Sequence, residues 1–219
     1  MDEREAEVPK VIHQIWLRGE PPDEGRAWMA GVRHIAQRAG WGYELWSWAR
    51  LAAELAEFRE REAHCPLVQH QSDVARWLIL RDHGGLYLDA DLELFRLPGR
   101  LCGAWIQGVG LRAWDVAQVN CAIQAGPPGH RYFHDLLALA VDPVVRIGPA
   151  VPMADRPIAP LGTRAWLALG GGNELCQQAL GPDVHVWPPE RWNWEGRYKG
   201  YGVHYGCFRR WGSVRPAER

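Results

Sequence analysis

The sequence predicts a single α/β domain built on a mixed, mostly parallel sheet with helices on both faces. Three observations predict it. Short apolar, β-branched runs alternate with longer helix-like stretches. The apolar run Leu86-Tyr87-Leu88 follows Gly84-Gly85 and delivers Asp89-Ala90-Asp91. No internal repeat or low-complexity linker divides the 219 residues, a length suited to one core.

Residues 1–8 are expected to be disordered. Val11 to Leu17 (VIHQIWL), short, β-branched and preceded by Pro9, reads as the first strand. Pro21-Pro22-Asp23-Glu24 signals a helix start, because proline and acidic side chains favour the first turn. That helix runs through Ala27–Arg38 and ends near Gly40. Tyr43–Trp46 predicts a strand, and Ala49–Arg59, rich in Ala, Leu and Glu, a helix. Gln71-Ser72-Asp73 offers an N-cap for a mostly apolar helix carrying Val74, Trp77, Leu78, Ile79 and Leu80, stopped by His83-Gly84-Gly85. After the Leu86–Leu88 strand the chain continues extended through Leu92–Phe95. Further strands are predicted at Ala104–Val109 and Val116–Gln124, and helices at His130–Val141 and Thr163–Leu169, with Gly170-Gly171-Gly172 as a breaker. Strands at Asp183–Trp187 and Gly202–Phe208 complete the chain.

Composition narrows the class. Apolar residues make up 47% and charged residues 23%, which fits neither a disordered chain nor a membrane-embedded one. A net charge of −1 gives no global attraction to nucleic acid or anionic lipid, although Arg191 to Arg219 is locally basic. No run approaches the roughly 18–20 apolar residues of a spanning helix. Met1 to Glu7 is acidic and polar, the reverse of a secretory leader. The five cysteines are scattered without a CxxC pair, which predicts reduced thiols and a soluble, cytoplasmic protein. The thirteen tryptophans suit stacking on sugars or bases, but core and surface packing is expected to account for most of them.

Asp89 and Asp91 stand where chemistry is expected, at the carboxyl end of a short apolar strand. In an extended segment residues i and i+2 face the same side, so both carboxylates aim at one point. Hard oxygen ligands suit Mg2+ or Mn2+, which leave positions for water and phosphate. A bridging dication stabilises the charge that accumulates on a departing nucleotide diphosphate. Asp73 and Arg76, at i and i+3, share one face of the preceding helix. An arginine in a buried helix needs a carboxylate or a phosphate for a partner.

Two stretches carry a family likeness: Pro9-Lys-Val-Ile-His-Gln-Ile-Trp16, and Ser72-Asp73-Val-Ala-Arg76 through His83-Gly84-Gly85-Leu-Tyr87-Leu-Asp89-Ala-Asp91. They resemble glycosyltransferase family 32, DXD sugar transferases of the GT-A fold related to the glucosylating domains of large bacterial toxins. The match is ordered and specific from Pro9 to about Leu97. Beyond it, Asn120-Cys-Ala-Ile before Gly129-His130 resembles the family's Asn-Ala segment. Ala159-Pro160-Leu-Gly-Thr163-Arg164 resembles its Gly-Pro turn, with Ala159 in place of glycine and Gly148-Pro149 as a rival. His204 followed by Trp211 resembles its late His and Trp element, at a different spacing and without the serine that usually precedes the Trp.

The resemblance implies a GT-A-like, Rossmann-like domain over residues 9–219 and a role for each matching position. Trp16 would stack on the donor's base. Asp73 would take sugar or ribose hydroxyls, and Arg76 the diphosphate or the transferred sugar. Tyr87 would lie against the ribose, and Asp89 and Asp91 at ribose, diphosphate and metal. Asn120 would belong to the donor site, His204 would add a metal or phosphate contact, and Trp211 would close over the diphosphate. His13 reads as structural.

The implied activity is transfer of a hexose from a nucleotide sugar, with UDP-sugar favoured and GDP-mannose open, using Mn2+ or Mg2+ and retaining the anomeric configuration. Two other classes stand beside it. One is a phosphodiesterase or nucleotidyltransferase using the same carboxylate pair, for which only Glu93 is at hand locally as a further ligand. The other is an inactive, carbohydrate-binding relative. The expected acceptor is a small molecule or a polypeptide, without appreciable binding to duplex DNA. Arg146 to Pro160 reads as either an active-site loop or a connection. Trp187, Trp192 and Trp194, beside Arg191 and Arg197, read as either an acceptor platform or packing.

Overall fold

The fold is taken from a computed structural model that describes residues 5–63, 65, 68–109, 118–141, 175–176, 179–187, 192 and 201–204. The VIHQI run forms β1 (Val11–Ile15), whose last four residues are buried, as expected of a strand enclosed on both faces. α1 (Asp23–Arg38) begins directly after Pro22, with Asp23 and Glu24 in its first turn and Arg38 in its last, each sign matching the helix dipole. It buries Gly25, Met29, Val32 and Ala36, a stripe at helical spacing. β2 (Gly42–Trp46) returns beside β1, and Ser47 caps α2 (Trp48–Glu54) by accepting the Arg50 amide.

The single helix expected over Ala49–Arg59 is two. α2 ends where Leu55 turns extended, and α3 (Phe58–Glu62) follows. Glu57, at the break, accepts Arg61 at 2.8 Å and Arg81 at 2.7 Å, so the break is tied to the next helix by charge. That helix, α4 (Val68–His83), starts earlier than the Ser72-Asp73 signal. Both residues lie inside it, and neither is its cap. Every residue from Asp73 to Leu80 is buried, as in a helix packed all round.

Gly84 and Gly85, at φ +64 and +102, make the turn into β3 (Gly85–Leu88), which is buried along its length. A Cβ at Gly84 would stand 2.7 Å from the Pro128 ring, and one at Gly85 2.7 Å from Val11, so the close approach of helix and sheet requires both glycines. β4 (Leu92–Leu94), β5 (Ala104–Val109), β6 (Gln118–Gly126), α5 (Arg131–Val141), β7 (Val184–Trp187) and β8 (Gly202–His204) follow. The predicted helix at Thr163–Leu169, the segments Arg146–Pro160 and Ala159–Arg164, and Trp194 and Trp211 lie outside the described residues.

The main sheet has the order β2-β1-β3-β6-β5-β7. The β1–β2, β1–β3 and β5–β7 pairs are parallel, and β6 runs antiparallel to both its neighbours. β4 and β8 form a separate two-stranded sheet. Tyr87 packs with α4 and α5 residues such as Trp77, Leu78, Phe133 and Leu136, whereas Leu86 and Leu88 pack with Val32 and Ala36 of α1. Successive residues of a strand point to opposite faces, so two cores lie on the two sides of the sheet. This is the mixed, mostly parallel, helix-flanked sheet of the GT-A fold.

The N-terminus departs from expectation within residues 6–8. Val8 is buried and donates its amide to Leu101, Glu7 bridges to Cys102, and the Gly103 amide donates to Ala6. Trp187 and Trp192 also settle into packing: both are buried and meet edge to face at 5.4 Å, with Trp192 against Tyr201. Among the described residues no helix is long and apolar enough to cross a membrane.

Candidate donor and metal site

β1 and β3 run parallel, with Ile12 beside Leu86 and His13 beside Tyr87, so both strands end on the same edge of the sheet. Trp16 follows β1 there and Asp89 follows β3. Gln14 ties the two ends together: its side-chain amide donates to the Asp89 carbonyl at 3.1 Å, and its oxygen accepts the Tyr43 hydroxyl at 2.9 Å. Gln14 is fully buried, and it was missed at the sequence level. The signal for it was an amide side chain inside an otherwise apolar strand, which must find partners.

Arg76 is the hub. Its guanidinium meets Asp73 at 3.0 Å and Asp89 at 3.3 Å, donates to the Cys121 carbonyl at 2.6 Å, and lies 4.6 Å above the Tyr87 ring. Its Nε donates back to the Ser72 carbonyl at 3.3 Å. The expected partner, carboxylate or phosphate, is thus two carboxylates from the protein itself. Burial opposes the charge on Arg76, but Asp89, Tyr87, Cys121 and Asp73 together outweigh it and hold the guanidinium firmly protonated. The Tyr87 hydroxyl donates to the same Asp89 oxygen at 2.8 Å. Burial first, then the nearby anions, pushes this phenol well above its ordinary value, so it remains a donor.

The segment joining β3 to β4 is a turn at Ala90-Asp91, not the extended run from which convergence of Asp89 and Asp91 was argued. The period-two argument therefore covers Tyr87 and Asp89, which do share a face and a hydrogen bond. Asp91, at 0% exposure, is buried within the turn, directly before β4.

Asn120 is brought near in another way. Its side-chain oxygen accepts the Ala122 amide at 2.8 Å, inside a stretch where the β5–β6 register jumps. Through this irregularity β6 presents the Cys121 carbonyl to Arg76 and the Ala122 carbonyl to the Asp89 amide, the latter at 2.9 Å. The Cys121 thiol lies 3.5 Å from Asp73, and burial with that carboxylate raises it well above the usual thiol range. Asn120 therefore stands behind the Arg76 cluster, shaping the strand that supports it.

His204 enters through β8, whose pairing sets its backbone against Leu92, the residue after Asp91. Trp16 is partly exposed, and its indole N–H donates to the Gly19 carbonyl at 3.1 Å. His13 is structural, as expected. The Trp46 indole can only donate, at 3.1 Å, so Nδ1 accepts and Nε2 carries the proton to the Gly84 carbonyl at 2.9 Å.

Among the described residues no three His, Cys, Asp or Glu side chains gather as a metal-holding group. Mg2+ and Mn2+ do not need one, since one or two carboxylates with water and substrate phosphates suffice. The donor set of Asp89 and Asp91, hard oxygen on a turn at a strand end, fits such an ion.

Residues 31–102, which contain α4, β3 and the Asp89-x-Asp91 turn, match a family model described as the glycosyltransferase sugar-binding region containing DXD motif. Over 103 residues the chain is 33% identical to an uncharacterized glycosyltransferase of Acanthamoeba polyphaga mimivirus, covering 44% of this chain and 40% of that protein. Over 109 residues it is 30% identical to inositol phosphoceramide mannosyltransferase 3 of Schizosaccharomyces pombe, covering 47% and 30% respectively. The chain thus spans less than half the length of these curated relatives. A solved structure titled PaToxG Glycosyltransferase superposes with a TM-score of 0.53 at 17% identity, over 80% of this chain and 69% of that one, which is a likeness of fold.

Proposed function

We infer that this chain is a DXD glycosyltransferase of the family 32 type, which transfers a hexose from a nucleotide sugar to an acceptor; the match of residues 31–102 to the DXD sugar-binding region supports the reading. The observation that carries the reading is the Arg76 cluster, which fixes Asp89 at the carboxyl end of β3, beside Asp91 and on the edge where Trp16 stands.

Each residue in it has a stated task. Arg76 and the Tyr87 hydroxyl hold one oxygen of Asp89 from two sides, while Gln14 holds its backbone. Asp73 would take donor hydroxyls, and Asp89 and Asp91 would hold a divalent ion. Such an ion supplies neutralising charge to the diphosphate leaving group. The Trp16 ring, its N–H already used, offers a face to a nucleobase. UDP-sugars are the favoured donors and GDP-mannose the next, with retention of configuration and a small-molecule or polypeptide acceptor.

A screen of nucleotide sugars for donor hydrolysis tests the reading without an acceptor. Release of UDP or GDP in Mn2+ or Mg2+ is expected, lost in EDTA and abolished by Asp89→Asn or Asp91→Asn in proteins that melt like the wild type. Full turnover in EDTA, or in either variant, sinks the assignment.

A further inference from the structure

We propose that Gln14, aimed by Tyr43, is a positioning residue for the turn that would hold the ion, fixing the peptide that leads from Asp89 toward Asp91; the proposal rests on the divalent-ion reading above. The Asp89 carbonyl stands one residue past β3, where the chain leaves the sheet and turns at Ala90-Asp91. The Asp89 amide donates to the Ala122 carbonyl of β6 at 2.9 Å. On the β1 side, the amide that follows the strand, that of Trp16, goes to the Trp46 carbonyl of β2. Gln14 supplies the donor from its side chain instead, 3.1 Å from the Asp89 carbonyl oxygen. Because a peptide unit is planar, holding that oxygen fixes the plane between Asp89 and Ala90, and with it the path into Asp91.

The residue type fits this task. Gln14 is 0% exposed, and a buried amide is costly unless both of its ends are met. Both are: Nε2 donates to Asp89, and Oε1 accepts the Tyr43 hydroxyl at 2.9 Å. A carbonyl can only accept, so the amide nitrogen belongs on the Asp89 side and the oxygen on the Tyr43 side. The Tyr43 hydroxyl thus selects the orientation that serves Asp89. Burial, partly offset by Arg33, pushes this phenol up to about 12, so it keeps the proton it donates. An ionised glutamate at position 14 would set an acceptor against the Asp89 carbonyl, and an aliphatic side chain would leave carbonyl and hydroxyl unmet. Asp89 is therefore held at two places. The bonds from Arg76 and Tyr87 end on its carboxylate, and the bond from Gln14 governs the peptide that follows.

Titration of the full chain with Mn2+, alone and beside UDP or GDP, tests this, followed by the water-proton relaxation that rises when the ion is held on a protein. Melting is measured on the same samples. Gln14→Met is expected to weaken Mn2+ binding by about tenfold or more, the scale of losing a group that orients a metal ligand. Tyr43→Phe, which removes one hydroxyl from a half-buried ring, should weaken it in the same direction by less. Since Tyr43 acts through Gln14, the double variant should bind Mn2+ as Gln14→Met alone does, and additive losses would refute the pairing. A merely structural role would lower the melting temperature and leave Mn2+ affinity unchanged in the folded variants. That result overturns this proposal and leaves the divalent-ion reading standing. Unchanged affinity in Tyr43→Phe decides against it even where Gln14→Met fails to fold. Absence of Mn2+ binding by the wild type under every condition overturns the divalent-ion reading and this proposal with it.

Discussion

Replacing Arg76 with leucine would leave the carboxylates of Asp73 and Asp89, each with 9% side-chain exposure, without the guanidinium 3.0 and 3.3 Å away. Breaking a buried ion pair from one side typically costs about 3–5 kcal/mol, because a charge stays behind in a medium that cannot solvate it. Urea unfolding of Arg76→Leu should show a loss of that size. Arg76→Lys should lose less, keeping the charge but not the planar fork that spans two carboxylates and a carbonyl. A leucine variant as stable as the wild type would mean that the carboxylates do not depend on Arg76. Trp16 makes the opposite case, a large side chain partly open to solvent. Trp16→Ala should weaken nucleotide binding by about 1–3 kcal/mol, the scale of one aromatic stack on a base, with little change in melting. Unchanged affinity in a folded variant would leave Trp16 as part of the turn it closes with Gly19.

The junction of α4 and β3 is the element on which the site depends, and its glycines are testable there. Gly84→Ala must hold a left-handed backbone and drive a methyl group to 2.7 Å from Pro128, so a loss of about 2–4 kcal/mol is expected in urea unfolding. Gly31→Ala in α1 is the control, since a Cβ there meets nothing and helix propensity improves; a gain of about 0.5–1 kcal/mol is expected. Equal losses at the two positions would remove the strain argument. The sequence made this junction legible because Gly84-Gly85 punctuates two apolar stretches. It misplaced the start of α4 because Val68 to Gln71 has no apolar periodicity, while Ser72 and Asp73 resemble a cap. Asp73 is instead spent on Arg76, a tertiary use that local propensity does not register. Asp73, Arg76, Tyr87 and Asp89 were legible because they crowd into one short stretch of chain. The carbonyl of Cys121, 45 residues from Arg76, was not, since it acts through backbone at a strand irregularity and its side-chain identity says nothing about that.

On the scale of the whole molecule, His13 couples three elements and sets an acid limit on stability. Its ring sits on β1, between β2 and β3 in the sheet, accepts from Trp46 at the end of β2, and donates to Gly84 where α4 turns into β3. Burial, partly opposed by the Gly84 hydrogen bond and assisted by His83 and Arg50, lowers its pKa from 6.5 to about 4. The unfolded chain therefore binds a proton below pH 6.5 that the folded protein refuses until about pH 4. Stability from this residue is complete above pH 6.5 and declines between the two values, by about 1.4 kcal/mol per pH unit and about 3 kcal/mol in total. His70, also buried and also lowered to about 4, acts in the same direction. Urea midpoints measured from pH 7.5 to 4.5 should stay flat above pH 6.5 and then fall. His13→Gln, which keeps a polar side chain but cannot take up a proton, should be less stable at pH 7.5 and fall less steeply below 6.5. Carboxylates contribute equally to both proteins, so the difference in slope isolates the imidazole. Parallel curves for wild type and His13→Gln would show that His13 titrates alike in the folded and unfolded chains.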